Sequence, residues 1–138
     1  MASPIREPAR IKLPIAAPKR ILVADDNDII RVVVRTLIEA GTDFEVCGEA
    51  VDGLNAIQKA QELKPDLVLL DYRMPRLSGI EAASIIRKEL PQARIVLFTL
   101  YEQSVSKTMT TAAGIDLVLR KGDGLDKLLE SIQNLMRS

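Results

Sequence analysis

Short, continuous apolar runs recur along the chain and alternate with stretches whose apolar residues have helical spacing. The runs cover residues 21–24, 67–70, 95–98 and 117–119. Strands of a parallel sheet have this uniformly apolar composition, because helices cover such a sheet on both faces. Residues 44–50 alternate more, which is typical of a half-exposed edge strand. The pattern therefore predicts five strands in one parallel sheet.

A helical pattern follows each predicted strand. After the first strand, apolar residues repeat at i, i+3, i+4, i+7 and i+8 from Ile30, and Gly41 is expected to end that helix. Asp52 and Ser78 are suitable N-caps for the second and third helices, and Pro65 limits the second. The fourth helix is Thr-rich and weaker. We expect helices over approximately residues 30–41, 53–63, 79–90, 102–113 and 125–136.

Five successive βα units predict an α/β fold in a single domain. Right-handed crossovers between parallel strands leave few possible topologies. We expect a doubly wound, flavodoxin-like (βα)5 sandwich of three layers, with the parallel strand order 2-1-3-4-5 that is known for such folds. This order puts the alternating second strand at an edge and makes the first and third strands neighbours. We expect residues 20–138 to form the domain and residues 1–19, with four prolines, to form an irregular or flexible arm.

Composition excludes several classes of function. Lys and Arg together number 19, as do Asp and Glu, so the net charge is zero and non-specific nucleic-acid binding is not expected. The chain has no histidine, which excludes histidine-based catalysis and histidine metal ligands. With Cys47 as its one cysteine it forms no intrachain disulfide, and no apolar run approaches the roughly 18 residues that span a membrane. We expect a cytoplasmic protein.

Three aspartates follow two of the predicted strands. Asp25 and Asp26 come directly after the first strand, and Asp71 follows the third. Ligands of doubly wound folds bind beyond the carboxyl ends of the strands, at the switch point, so these carboxylates are expected to converge there. Uncompensated, they would repel one another and raise one another's pKa. Mg2+ resolves this repulsion and prefers oxygen ligands, whereas the lack of histidine makes zinc a poor candidate.

Phosphoryl chemistry suits this arrangement. A carboxylate such as that of Asp71 can accept a phosphoryl group as an acyl phosphate, given a metal ion and a cation that neutralise the moving charge. Thr99, at the end of the fourth strand, supplies a hydroxyl, and Lys121, after the fifth strand, supplies a positive charge. Each residue alone is a weak signal, and the combination at four strand ends is specific.

Four motifs carry these residues: ILVADDND, LVLLDYRMPRLSGIEA, IVLFT and LVLRKG. Together they resemble the receiver domain of bacterial two-component response regulators. The stretches VCGEAVDG and DYRMP are most similar to receivers of the NarL/LuxR type. The resemblance covers about residues 20–137, which is nearly everything except the predicted arm.

The resemblance implies that Asp71 is a phospho-acceptor. It would take a phosphoryl group from the phosphohistidine of a sensor histidine kinase or of a phosphotransfer protein. Asp26 and Asp71 would bind Mg2+ through their side chains, and Asp25 would bind it directly or through water. Arg73 falls where the family uses a backbone carbonyl as a metal ligand.

The resemblance also implies a switch rather than an enzyme with turnover, because a receiver catalyses only its own phosphorylation and dephosphorylation. Thr99 and Lys121 would hold the phosphoryl oxygens, and Pro75 and Gly79 would shape the loop after the acceptor. The surface of the fourth helix, fifth strand and fifth helix would then change. Partners would include a kinase, an unknown output protein or output domain and a second copy of the chain, with no direct nucleic-acid or membrane contact.

Two positions near Thr99 and Lys121 depart from the family pattern. Val118 occupies the position of the switch aromatic, three residues before the lysine, so the usual aromatic coupling to Thr99 is absent. Leu100 replaces the usual small residue after Thr99, and its bulk is expected to narrow access to Asp71. Tyr101 follows, either as ordinary surface packing or as a substitute gate.

Other functions compete with that of a phosphorylated switch. A pseudo-receiver, acting as a phosphorylation-independent binding module, is favoured by Val118 and Leu100. A haloacid-dehalogenase-like phosphatase needs a second aspartate two residues after the nucleophile, where this chain has Arg73. A flavin carrier is disfavoured because the acidic turn after the first strand repels phosphate. A P-loop NTPase is excluded because the chain lacks the G-x-x-x-x-G-K-S/T motif. The chain is expected to be either a stand-alone receiver or part of a DNA-binding regulator.

Overall fold

The structure is a computed structural model that describes residues 17–137. A parallel sheet in the order β2-β1-β3-β4-β5 confirms the predicted doubly wound fold. The strands are β1 (Arg20–Ala24), β2 (Glu45–Ala50), β3 (Leu67–Leu70), β4 (Arg94–Thr99) and β5 (Leu117–Arg120). The helices are α1 (Asp28–Gly41), α2 (Gly53–Leu63), α3 (Gly79–Glu89), α4 (Lys107–Ala112) and α5 (Leu125–Arg137). Most of the predicted arm, residues 1–16, lies outside the described residues.

The strands alternate their side chains between two hydrophobic cores, one on each face of the sheet. One core packs α1 and α5 against the sheet, with the buried residues Ile21, Val23, Val34, Ile38, Val46, Leu67, Leu69, Val96, Phe98, Leu119, Leu128 and Ile132. The other packs α2 and α3, with the buried residues Leu22, Ala24, Ala50, Ala56, Ala60, Val68, Leu70, Ala82, Ala83, Ile86, Ile95, Leu97 and Ala113. Because both faces are buried, the strands cannot slip without exposing a core, and their carboxyl ends are held in fixed register.

The predicted N-caps Asp52 and Ser78 begin two of the helices. The Asp52 carboxylate accepts a hydrogen bond from the Asn55 N–H at 2.7 Å at the start of α2. Ser78 forms a capping box with Glu81 at the start of α3: the Ser78 hydroxyl accepts from the Glu81 N–H, and the Glu81 carboxylate accepts from the Ser78 N–H. Asn27 caps α1 in the same manner by accepting from the Ile30 N–H, which the sequence reading did not anticipate.

The fourth helix is shorter than predicted. A helix from residue 102 was expected, but Glu102–Ser104 form one turn of 3-10 helix and α4 begins at Lys107. The Ser106 side chain accepts from the Met109 N–H at 3.1 Å and so starts the helix there. Serine favours caps over helix interiors because its oxygen competes for backbone N–H groups. A loop therefore separates the end of β4 from α4.

Among residues 17–137, no helix is both long enough and apolar enough to cross a bilayer.

Candidate functional site

The two buried acids lie side by side because the strand ladder continues one residue beyond β1 and β3. The Asp25 N–H donates to the Ala50 carbonyl of β2 at 3.0 Å, and the Asp71 N–H donates to the Ala24 carbonyl of β1 at 3.0 Å. Asp25 is 3% exposed and Asp71 is 7% exposed. The sheet thus fixes the backbone of both acids before any side chain contributes.

Lys121 lies between the two buried carboxylates. Its Nζ atom is 2.6 Å from Asp25 Oδ2 and 3.1 Å from Asp71 Oδ2. The lysine begins the 3-10 turn after β5 and reaches back across the sheet edge, with only 11% of its side chain exposed. One positive charge is therefore shared by two buried negative charges, which leaves the cluster with a net negative charge that attracts a further cation.

Backbone N–H groups hold the remaining oxygens of these two carboxylates. The Asp25 Oδ1 atom accepts from the Asn27 N–H at 2.9 Å, and the Asp71 Oδ1 atom accepts from the Tyr72 N–H at 2.7 Å. With both oxygens of each group engaged, the carboxylates have fixed orientations. Such preorganisation lowers the cost of ordering these carboxylates when a ligand binds.

Asp26 completes a set of three carboxylates. One carboxylate oxygen from each of Asp25, Asp26 and Asp71 lies within 4.8 Å of the others, and Asp26 is the exposed member. No histidine exists in the chain, so this donor set consists of hard oxygens alone. Oxygen donors with one face open to solvent fit a hard divalent cation that keeps several waters.

The charged groups perturb one another's ionisation. Burial raises the pKa of the Asp71 carboxyl above its ordinary value; the positive charge of Lys121 opposes this, and the negative charge of Asp25 adds to it. Burial acts to lower the pKa of Lys121, but its bond to Asp25 and the charges of Asp71 and Asp25 outweigh burial and raise the pKa. Lys121 therefore stays protonated at neutral pH, as a fixed cation beside the acceptor.

Thr99 is bonded differently from the other predicted site residues. It is fully buried at the end of β4, and its hydroxyl oxygen accepts from the Tyr101 N–H at 3.0 Å. Its hydroxyl makes no hydrogen bond to Asp71 or Lys121 within the described part of the chain. The structure therefore brings Asp25, Asp26, Asp71 and Lys121 together, whereas the Thr99 hydroxyl is bonded to the loop after β4.

Arg73 and Tyr101 contact each other beyond the carboxyl ends of β3 and β4. The Arg73 guanidinium carbon lies 4.5 Å from the centroid of the Tyr101 ring, a cation–π contact between the loops after β3 and β4. Both side chains are exposed. The sequence reading gave the Arg73 side chain no role, and this contact had no sequence signal because 28 residues separate the pair. The predicted role of the Arg73 carbonyl as a metal ligand stays a prediction.

The loop after Asp71 folds back tightly onto its own strand. The Gly79 N–H donates to the Tyr72 carbonyl at 2.8 Å, and the Leu77 N–H donates to the Pro75 carbonyl at 2.9 Å. A Cβ atom built at Gly79 would lie 2.0 Å from the Asp71 carbonyl oxygen, so the start of α3 touches the acceptor's own backbone. The predicted roles of Pro75 and Gly79 in shaping this loop stay predictions, and at Gly79 a side chain would overlap the Asp71 backbone.

Leu100→Ala is expected to speed phosphorylation about twofold, which corresponds to a change of about 0.4 kcal/mol in the activation free energy. Leu100 directly follows Thr99 at the carboxyl end of β4 and is 64% exposed, so alanine removes exposed bulk there without opening a core. The initial rate with acetyl phosphate measures the effect. Ile85→Ala, which trims a partly exposed side chain on α3, is the control. An unchanged or slower rate for Leu100→Ala would remove the steric argument.

Comparison with known proteins identifies the family. The sequence profile described as the response regulator receiver domain matches residues 21–133. The response regulator protein VraR of Staphylococcus saprophyticus is 32% identical over 116 residues, which make up 84% of this chain and 56% of VraR. The chain spans about half the length of the curated relatives it matches.

Solved structures agree in fold and sequence. The response regulator domain of Thermotoga maritima CheB superposes with a TM-score of 0.79 at 34% identity, covering 88% of this chain and 98% of that one. A LuxR-family two-component response regulator from Aurantimonas superposes with a TM-score of 0.81 at 31% identity, covering 88% of this chain and 86% of that one. The resemblance to NarL/LuxR-type receivers is thereby confirmed. With its profile match, its relatives and its acidic site at the ends of β1 and β3, the chain belongs to the family of response regulator receiver domains.

Proposed function

We propose that Asp71 accepts a phosphoryl group from the phosphohistidine of a sensor histidine kinase or of a phosphotransfer protein, in a reaction that depends on Mg2+. The observation that carries this proposal is the convergence of three carboxylates within 4.8 Å, with Lys121 Nζ 3.1 Å from Asp71 Oδ2. A buried carboxylate beside a fixed cation suits this role, because the cation stabilises the negative charge that develops on the phosphoryl oxygens during transfer.

The transfer exchanges one phosphorus bond for another. A carboxylate oxygen of Asp71 forms a bond to phosphorus while the nitrogen–phosphorus bond of the donor breaks. The electron pair of that bond stays on the imidazole nitrogen of the donor. Lys121 keeps its proton throughout and stabilises the phosphoryl oxygens by charge, which its raised pKa favours.

The three acids suit a bound Mg2+ ion. Asp26 and Asp71 would hold it through their side chains, Asp25 directly or through water, and Arg73 through its backbone carbonyl. When bound, the ion supplies charge neutralisation at the phosphoryl oxygens. The chain's own contribution is to hold the acids in place, through the N–H groups of Asn27 and Tyr72 and through Lys121.

Phosphorylation would act on the surface formed by α4, β5 and α5. The Thr99 hydroxyl is bonded to the Tyr101 N–H in the present state, and it would turn toward the phosphoryl group and release that bond. The loop between β4 and α4 would then rearrange without an aromatic partner, because position 118 is valine. A local charge change would thus bias a two-state element that an output protein, an output domain or a second copy of the chain recognises.

Incubation with acetyl phosphate, with and without Mg2+, tests the proposal through the intact protein mass. We expect an adduct of one phosphoryl group when Mg2+ is present and almost none when the ion is removed by a chelator. No adduct under conditions that label a control receiver would overturn the proposal. That outcome would instead favour a pseudo-receiver that binds partners without phosphorylation.

A further inference from the structure

Arg31 holds the peptide group that joins the two acids of the β1–α1 turn. This arginine lies in the first turn of α1, and its Nη1 atom donates to the Asp25 carbonyl oxygen at 2.7 Å. That carbonyl belongs to the planar peptide between Asp25 and Asp26. Fixing the carbonyl therefore fixes the direction in which the chain leaves Asp25 and enters Asp26.

The guanidinium group is itself held by two acids. Its Nε atom donates to Glu49 Oε1 of the edge strand β2 at 3.1 Å, and its Nη2 atom pairs with the Asp28 carboxylate. Only 11% of the Arg31 side chain is exposed. A planar guanidinium with several engaged donors has little freedom, so Arg31 braces the acidic turn against β2.

Asp26 depends on this brace more than the other two acids do. Within the described residues, the Asp26 carboxylate accepts no hydrogen bond from a protein group, whereas Asp25 and Asp71 are each held by a backbone N–H and by Lys121. The part of Asp26 that the protein holds is therefore its backbone, through the preceding peptide group, and not its carboxylate. The oxygen of Asp26 nevertheless falls within 4.8 Å of the oxygens of the two buried acids.

We infer that Arg31 is a positioning residue for the divalent cation. By holding the Asp25 carbonyl, it presets Asp26 beside the buried acids and so raises the affinity of the site for the ion. This inference rests on the proposed function, because it assigns a role toward the Mg2+ ion of that site. Removal of a residue that orients metal ligands typically weakens metal affinity about 10- to 100-fold.

Arg35 provides a matched control on the same helix. One turn further along α1, its Nη1 atom donates to Glu49 Oε2 at 2.6 Å, and it also pairs with Glu39. It thus shares the Glu49 partner and the charge of Arg31, but no hydrogen bond joins it to Asp25. Loss of a positive charge near the site would by itself strengthen cation binding. If Arg31→Met weakens Mg2+ binding, the effect is therefore opposite in direction to the one that loss of a positive charge alone would cause.

The test is Mg2+ affinity of the unphosphorylated protein, measured by isothermal titration calorimetry for the wild type, Arg31→Met and Arg35→Met. We expect at least about tenfold weaker binding for Arg31→Met and a change of less than about twofold for Arg35→Met. Phosphorylation by acetyl phosphate should show the same difference between the two variants. Arg31→Met should raise the Mg2+ concentration that gives half the maximal phosphorylation rate, whereas Arg35→Met should leave it nearly unchanged. The rate of Arg31→Met at saturating Mg2+ should remain close to that of the wild type, since the acceptor and Lys121 are intact.

Urea unfolding without Mg2+ establishes that each variant is folded. If Arg31→Met does not fold, Arg31→Lys replaces it, because a single ammonium group cannot hold both Glu49 and the Asp25 carbonyl in the same forked geometry. Wild-type Mg2+ affinity in the folded Arg31 variant would overturn the inference, as would an equal loss in Arg35→Met. Absence of Mg2+ binding in the wild type would instead overturn the proposed function, so the two failures are distinguishable.

Discussion

Asp71→Asn is expected to abolish phosphorylation of the chain while leaving its fold intact. An amide has no anionic oxygen to form the acyl phosphate, so the acceptor chemistry is lost completely rather than slowed. The substitution keeps the size and shape of the side chain. Asp25 is also buried and bonded to Lys121, but Asp71 is the one of the three neighbouring acids that follows β3.

The fold should tolerate this change because the polar contacts rearrange at low cost. The asparagine carbonyl can still accept from the Tyr72 N–H, which is 2.7 Å from the Asp71 carboxylate in the wild type. Lys121 loses its 3.1 Å bond to residue 71 but keeps its 2.6 Å bond to Asp25. Removal of a buried charge also relieves repulsion between two carboxylates. We expect the free energy of unfolding to change by less than about 1 kcal/mol.

Intact-protein mass after incubation with acetyl phosphate and Mg2+ measures the loss, and urea denaturation measures stability. Asp123→Asn is the matched control, since this acid lies just beyond Lys121 but pairs with Arg120 at the surface. The control should be labelled as the wild type is. Retention of the phosphoryl adduct in Asp71→Asn would place the acceptor on another residue.

The sheet was predictable because its strands are buried on both faces. Uniform apolar composition at residues 67–70 and 95–98 leaves a covered parallel strand as the simplest explanation, and the structure has β3 and β4 there. The strand order itself came from known folds of this type rather than from the residues. Given that order, the proximity of Asp25 and Asp71 follows, because adjacent parallel strands end at the same edge.

Contacts between loops were not predictable in the same way. Lys121 was expected near the phosphoryl group, but its simultaneous bonds to Asp25 and Asp71 join residues 96 and 50 positions apart. The role of Arg31 depends on where β2 places Glu49, which no local pattern encodes. The start of α4 was placed too early because the apolar spacing alone does not show that Ser106 caps the helix.

Gly79→Ala is expected to destabilise the domain by about 3 kcal/mol, the upper end of the range for an overpacked site. An added Cβ would lie 2.0 Å from the Asp71 carbonyl oxygen and 2.9 Å from its carbonyl carbon. These are backbone atoms of a buried position, so no side-chain rotation relieves the overlap. Gly79 is the first residue of α3 and has no positive φ, so without the clash alanine would fit its backbone conformation.

Urea denaturation of Gly79→Ala and of Gly122→Ala separates the clash from the general effect of adding a methyl group. Gly122 lies in the turn that contains Lys121, and a Cβ there would have no atom within 4 Å, so its unfolding free energy should stay within about 0.5 kcal/mol of the wild type. Unchanged stability in Gly79→Ala would mean that α3 moves away from β3 at no cost. Whatever its cost, relief of the overlap must shift the backbone of Asp71 relative to α3, so Gly79→Ala should also slow phosphorylation, whereas Gly122→Ala should not. We therefore expect the close approach of α3 to Asp71 to make Gly79 a determinant of both stability and site geometry.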